Sequence, residues 1–289
     1  MIIEISILFA FAAMLSWAFG DFFIQHSTRK IGNLGTLTVI GIVGTIGLIP
    51  FIFHDLKLLV STPNLILVIS LGLITFVTAM LDFEALKEGK LSIIDVIFEI
   101  ELPVTVTLSM IFFKESLTGW QIAIVASMLL GMILIATKSF HHWKTRLEKG
   151  VLFAFFAAVL MGVVNFMTAT SSKNISPIMA VWAPWVIFTV VCLLAIWQRE
   201  GIGTFGKNIV QYKWLLLLTG FLDTMAWIFY ALATYKYEIA IITAITECYP
   251  AVAMFLGLWL NKEKIKWYQY FGAILALGGS IILALTVGG

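Results

Sequence analysis

Leu8-Phe9-Ala10-Phe11 opens the first apolar run of the chain, and Leu152-Phe153-Ala154-Phe155 opens another half-way along. Reading outward from this pair, the two halves keep matching. At the same offset Asp21 falls on Asn165, Arg29 on Lys173 and Ile31 on Ile175. Further on, Phe83-Glu84-Ala85-Leu86 meets Phe229-Tyr230-Ala231-Leu232, and Pro103 meets Pro250. Lys114-Glu115 then meets Lys262-Glu263, and Gly131 and Ala136 meet Gly279 and Ala284. The offset drifts only from 144 to 148 residues, so the halves align end to end. A repeat on this scale governs the architecture before any local motif does.

What repeats is a set of membrane spans. Of 289 residues 61% are hydrophobic and 12% charged, against roughly 25% charged in soluble domains. Lipid is the solvent that fits. A span needs roughly 20 apolar residues. Such runs occupy about 5–25, 35–53, 65–86, 91–113, 118–138, 150–170, 177–197, 214–235, 239–260 and 267–287. The expected fold is an all-α integral membrane protein with ten transmembrane helices in two five-helix repeats, residues 1–140 and 150–289, joined by a polar linker over 141–149. With five spans per repeat, the second copy enters the membrane from the opposite side. Inverted repeats of this kind are characteristic of secondary transporters, whose sites lie near the midplane between the copies.

Other features narrow the class. A net charge of +2 gives no reason to expect a nucleic-acid partner. Cys192 and Cys248 stand in apolar runs with no framework spacing and read as core residues. Met1-Ile2-Ile3-Glu4 lacks a basic n-region, so the first run reads as a retained helix. No HExxH or GxSxG motif occurs and the four histidines sit at or near loops, so neither an enzyme, a metal site nor a cofactor is expected.

The segments Ala85-Leu86 to Lys114-Glu115 and Ala231-Leu232 to Lys262-Glu263 each carry a small-residue start, a mid-span Pro and an acid in the loop before the last span. In these the chain resembles the drug/metabolite transporter superfamily, in its ten-helix EamA-type branch. The resemblance covers nearly the whole chain. It implies a central cavity lined by spans 1, 3, 4, 6, 8 and 9, export as the commoner direction, and cytoplasmic termini. The charge distribution implies the opposite orientation. Loops after the odd-numbered spans hold 14 Lys/Arg and the others 4, which by the positive-inside rule puts both termini outside. Orientation stays open at this point.

Half of the 16 acidic residues fall inside the spans: Asp21, Asp82, Glu84, Asp95, Glu99, Glu101, Asp223 and Glu247. No Lys or Arg is expected in the span interiors. Each charge at the bilayer centre costs at least roughly 2.5–3.5 kcal/mol, so protons, hydration or an incoming cation must compensate them. All eight fall on spans that the resemblance places around the cavity.

Helical phase groups the candidates. Trp17, Asp21 and Gln25 form one stripe, with Asn165 at the repeat-related place of Asp21. Thr219, Asp223, Trp227, Tyr230 and Thr234 form another; Thr75, Thr78 and Asp82 a third; Ser92, Asp95, Glu99 and Pro103 a fourth. Glu101 sits about 200° around from Glu99. The expected substrate-binding residues are Glu99, Glu247, Asp21, Asp223, Trp227, Tyr230, Trp17 and Asn165. The proton-coupling candidates are Glu99, Glu247, Glu101 and Asp82. Each acid also has a plainer reading, as a headgroup contact, a cap or a protonated packing residue. Pro103 and Pro250 are expected to kink their spans, and Trp182 and Trp185 to pack. Gly41, Gly44 and Gly47 are expected to let helices approach closely.

Carboxylates beside aromatic faces suit a cation with an apolar body, and they suit protons. The expected function is a secondary active transporter, acting as monomer or homodimer in the cell membrane of a prokaryote. Its expected substrate is an amine, an amino acid or a similar small metabolite. A lipid or lipid-headgroup flippase on the same fold is the alternative.

Overall fold

A computed structural model describes residues 5–88, 97–137, 149–199, 201–260 and 265–287. Asp95, Ser92, the linker residues 141–148 and the Lys262-Glu263 pair lie outside the described residues. Every regular element among those described is helical. They are α1 (Ile5–Ile52), α2 (Thr62–Glu88), α3 (Glu101–Phe112), α4 (Gly119–Ala136), α5 (Lys149–Asn174), α6 (Pro177–Arg199), α7 (Ile202–Lys236), α8 (Ile239–Thr246), α9 (Tyr249–Leu260) and α10 (Trp267–Val287). A short 3-10 turn, Leu56–Val60, joins α1 to α2.

Among the described residues eight segments are long and apolar enough to cross a bilayer, and Glu101–Phe112 is a shorter apolar helix. The first segment, α1, runs for 48 residues. At 1.5 Å per residue it would measure about 72 Å, more than twice the roughly 30 Å hydrocarbon core. It is not straight. Gly32 breaks it with φ 74° and ψ 169°, a conformation that a residue without Cβ adopts at little cost. The apolar runs 5–25 and 35–53 leave Arg29-Lys30 between spans, but helix continues through that pair to the glycine. Two adjacent cations do not stop a helix, whereas a residue at positive φ does.

Spans 4 and 9 are the second departure. Neither is one unbroken helix among the described residues: turn residues Glu99-Ile100 precede α3, and turn residues Glu247-Cys248 separate α8 from α9. Pro103 and Pro250 do not kink continuous helices. They occupy the first turns of α3 and α9, where a missing N–H leaves no bond unmade. Span 8 also differs, since α7 begins at Ile202 and bends at Tyr212 (φ −114°, ψ 21°) before crossing.

The halves pack reciprocally. α2 lies along α5 as α7 lies along α1, and α4 pairs with α10. Glycines mark the closest approaches. A Cβ on Gly72 would come within 2.8 Å of Ile187 Cβ, and one on Gly220 within 2.7 Å of Val43 Cβ. Val43 and Ile187 lie 144 residues apart and Gly72 and Gly220 lie 148 apart, both within the range of the repeat, so the two contacts are counterparts under a pseudo-twofold axis. Gly131 and Gly272 face each other across the α4–α10 pair, each with its Cβ position within 2.6 Å of the other's carbonyl oxygen. Gly41 abuts Thr189 and Phe188, and Gly44 abuts Trp185, but Gly47 has nothing within 4 Å, so its expected packing role does not hold.

Large apolar side chains such as Ile46, Phe112 and Ile274 are more than 60% exposed on the outer faces. Uncovered apolar surface on that scale needs lipid against it. Cys192 and Cys248 are fully buried and unpaired with each other.

Candidate functional site

The broken and bent spans converge on one cavity. On α1, Trp17, Asp21 and Gln25 stand one turn apart and face inward together, as residues at i, i+4 and i+8 do. α2 contributes Thr75 and Asp82, and α7 contributes Asp223 and Trp227. Glu101 enters as the first residue of α3, and Glu247 as the residue closing α8. Asn165 enters from the middle of α5. The cavity volume is about 770 Å³, ample for a small metabolite.

Asn165 is the hub. Its Nδ2 donates to Glu101 Oε1 at 2.5 Å and to Glu247 Oε1 at 3.1 Å. The two carboxyl oxygens are therefore within about 5.6 Å of each other, the sum of the two bonds. A neutral amide has two N–H groups, and here one goes to each half of the molecule. Behind this wall the Tyr230 hydroxyl bridges the main-chain oxygen of Asn165 (3.3 Å) and Thr243 Oγ1 (2.9 Å). Tyr230 is fully buried, which fixes Asn165 from the rear.

Aromatic rings line the same space. Trp17 meets Trp227 edge-on at 5.2 Å between centroids and lies 5.8 Å from Tyr230 and 6.2 Å from Tyr249. Trp185 meets Trp227 at 5.7 Å. Edge-to-face pairs at these separations are mutually stabilising, so the rings hold their orientation without substrate. Toward the Gly32 break the lining continues through Thr28, Arg29 and Asn33, and Arg29 is exposed. The cavity thus reaches the surface at the far end of span 1. Beyond Asn165 in the other direction, Thr168, Ser172, Ile242 and Thr243 are all fully buried.

The sequence profile of the EamA-like transporter family matches residues 4–137 and again 148–285, nearly all of the chain in two copies. The chain belongs to the EamA-like transporter family. This EamA-like chain is therefore an integral membrane protein of a transporter family. One solved structure, described only as a crystal structure of a protein, superposes with a TM-score of 0.77 at 16% identity, covering 98% of this chain and 99% of that one. At that identity the likeness is one of fold. No curated protein matches the chain.

In this EamA-like fold Trp17, Asp21, Asn165, Asp223, Trp227 and Glu247 all line the cavity, as do Asp82 and Glu101. Tyr230 stands behind the lining rather than in it. Glu99 is placed elsewhere: it sits half-buried in the turn before α3 and is not among the lining residues. The acid that joins Glu247 is Glu101. Glu84 also lies off the lining. Arg29, exposed where the cavity reaches the surface, is a base among the lining residues. Tyr249 and Trp185 were not expected in the site. Nothing in the pattern of span 7 singles out Trp185, but Tyr249 follows Glu247 by two residues at the break.

Proposed function

We propose that this protein is a secondary active transporter that moves a small amine-bearing metabolite, an amine or an amino acid, by alternating access. A proton and the substrate's cationic group take turns at Glu101 and Glu247. The observation that carries the reading is the shared amide: two carboxyl groups from opposite halves, on one neutral donor, at the wall of an aromatic-lined cavity. If both were ionised at about 5 Å, their repulsion would cost about 3 kcal/mol at an effective dielectric near 20. One proton or one ammonium group removes that cost. Trp17, Trp227 and Tyr249 supply faces for the cation and surface for an apolar body, and such contacts are worth about 2 kcal/mol when desolvated.

The broken spans serve the same reading. Discontinuous helices at the midplane place backbone ends and acids where substrate and coupling ion bind in other inverted-repeat transporters. Because Glu101 and Glu247 come from different halves, neutralising them permits the halves to move relative to each other. The protein is read as resident in the cell membrane of a prokaryote.

The test is a thermal-shift screen of detergent-purified protein against amines, amino acids, anionic metabolites and soluble lipid headgroups, at about pH 5.5 and about pH 8. A ligand at 100 times its Kd stabilises the folded state by about 2.7 kcal/mol, which reads as a shift of several degrees. Amines are expected to stabilise, and more strongly at the higher pH, where fewer protons compete. Stabilisation by anions or headgroups alone would overturn the cation site.

A further inference from the structure

The Lys114-Glu115 pair, a mark of the repeat in sequence, has no part in the cavity, yet Glu115 makes two unusual bonds. Its Oε1 accepts from the backbone N–H of Ile239 at 2.7 Å and its Oε2 from that of Ala240 at 2.9 Å. These are the first two amides of α8, donors that no residue within that helix can satisfy. The helix's own N-cap residue, Glu238, makes no side-chain cap. The cap comes instead from the loop between α3 and α4, in the other half of the chain. A carboxylate there also complements the helix dipole.

Two further features aim and brace it. Lys114 has φ 56°, a left-handed backbone that non-glycine residues adopt rarely and at a cost, and this turn directs Glu115 toward α8. Lys173, at the end of α5, donates to Tyr237 O at 2.7 Å and lies over the Phe113 ring at 5.8 Å. Burial, together with the neighbouring Glu115, pushes the Glu238 carboxyl above the usual carboxylate range, and Lys173 draws it back. Three elements are thereby tied at one end of the molecule, on the side of the chain termini. Below the tie, every residue of α8 is fully buried, and the helix ends at Glu247. The repeat partner of Lys173 is Arg29, which lines the open end of the cavity. One end is tied while its counterpart is open.

We propose that Glu115 is the latch of the closed side, a positioning residue that holds α8, and through it Glu247, while the cavity faces the other way. This rests on the alternating-access reading above. Capping is released when the terminus side opens, and the α8 amides then lose their charged partner.

Cysteine accessibility tests it without any substrate, so its failure is separable from failure of the amine reading. In a background with Cys192 and Cys248 replaced by alanine, Thr168→Cys reports the closed side and Gln25→Cys the open side. Thr168 is fully buried, one turn from Asn165 toward Lys173, and Gln25 is an exposed lining residue. A membrane-impermeant maleimide is the probe. With Glu115→Ala, labelling at Thr168→Cys is expected to rise about 100-fold or more and that at Gln25→Cys to fall, the scale set by losing two charge-assisted bonds of about 1.5–3 kcal/mol each. The isosteric Glu115→Gln, which retains one acceptor oxygen, should move both rates in the same directions but less. Unchanged rates at both positions, or a rise at both from general loosening, would overturn the latch.

Discussion

Amine binding at about pH 8 is expected to fall at least about 100-fold when Glu101 and Glu247 are both replaced by glutamine. Each charged hydrogen bond to an ammonium group contributes about 1.5–3 kcal/mol, and two of them correspond to a factor of about 10² to 10⁴. The fold should survive. A glutamine side-chain oxygen still accepts from Asn165 Nδ2 at both positions, and two neutral amides no longer repel. The apparent melting temperature without ligand is therefore expected to be no lower than that of the parent. The single variants should each lose part of the affinity. The difference in amine affinity between about pH 5.5 and about pH 8 should vanish in the double variant, because the groups for which protons compete are gone. Titration with the amine giving the largest thermal shift checks both points. Retention of pH-dependent affinity would place the cation elsewhere, with Asp21 and Asp223 the next acids on the cavity wall.

The second large effect is expected from Asn165→Leu. The side chain is 1% exposed, and leucine offers neither carboxyl group a donor. Leaving a buried polar group unsatisfied costs about 1–3 kcal/mol, so losing both bonds should cost about 2–4 kcal/mol of stability, read as a lower melting temperature and a poorer folded yield. Asn165, Glu101 and Glu247 act together, so the penalties should not add. Placing Asn165→Leu on the double glutamine background should cost less than placing it on the parent. Additive losses would mean that the amide serves the fold of α5 and not the acid pair.

Much of the fold is legible in the order of residues. Matches such as Pro103 with Pro250 and Gly131 with Gly279 reveal two copies, and the length of each apolar run gives the spans. What pattern reading misplaces are interruptions. Arg29-Lys30 looks like a loop, but helix propagates through two cations and breaks at Gly32, a residue that tolerates φ 74° at little cost. The breaks at Glu99-Ile100 and Glu247-Cys248 lie inside continuous apolar runs. No composition change announces them, and the prolines that follow look like kinks until their place in the first turn is seen.

The site was legible one helix at a time. The stripe Trp17, Asp21, Gln25 and the pair Asp223, Trp227 follow from 3.6-residue phase, because phase is a property of a single helix. The choice between Glu99 and Glu101 does not follow. It depends on where span 4 stops and on Asn165, an amide from the other half that selects one acid from each of two broken spans. Glu115 shows the same limit: its sequence position marks the family, whereas its partners, the amides of Ile239 and Ala240, are set by tertiary structure alone.

The central claim is that a cationic group displaces a proton from the Glu101–Asn165–Glu247 cluster. The most direct measurement follows protons on binding: purified protein in weakly buffered detergent near pH 7, a soluble pH indicator, and a saturating addition of the amine selected by the thermal screen. The account predicts proton release approaching one per chain in the parent and none in the double glutamine variant. Amine binding without proton release, or equal release from the double variant, would contradict it.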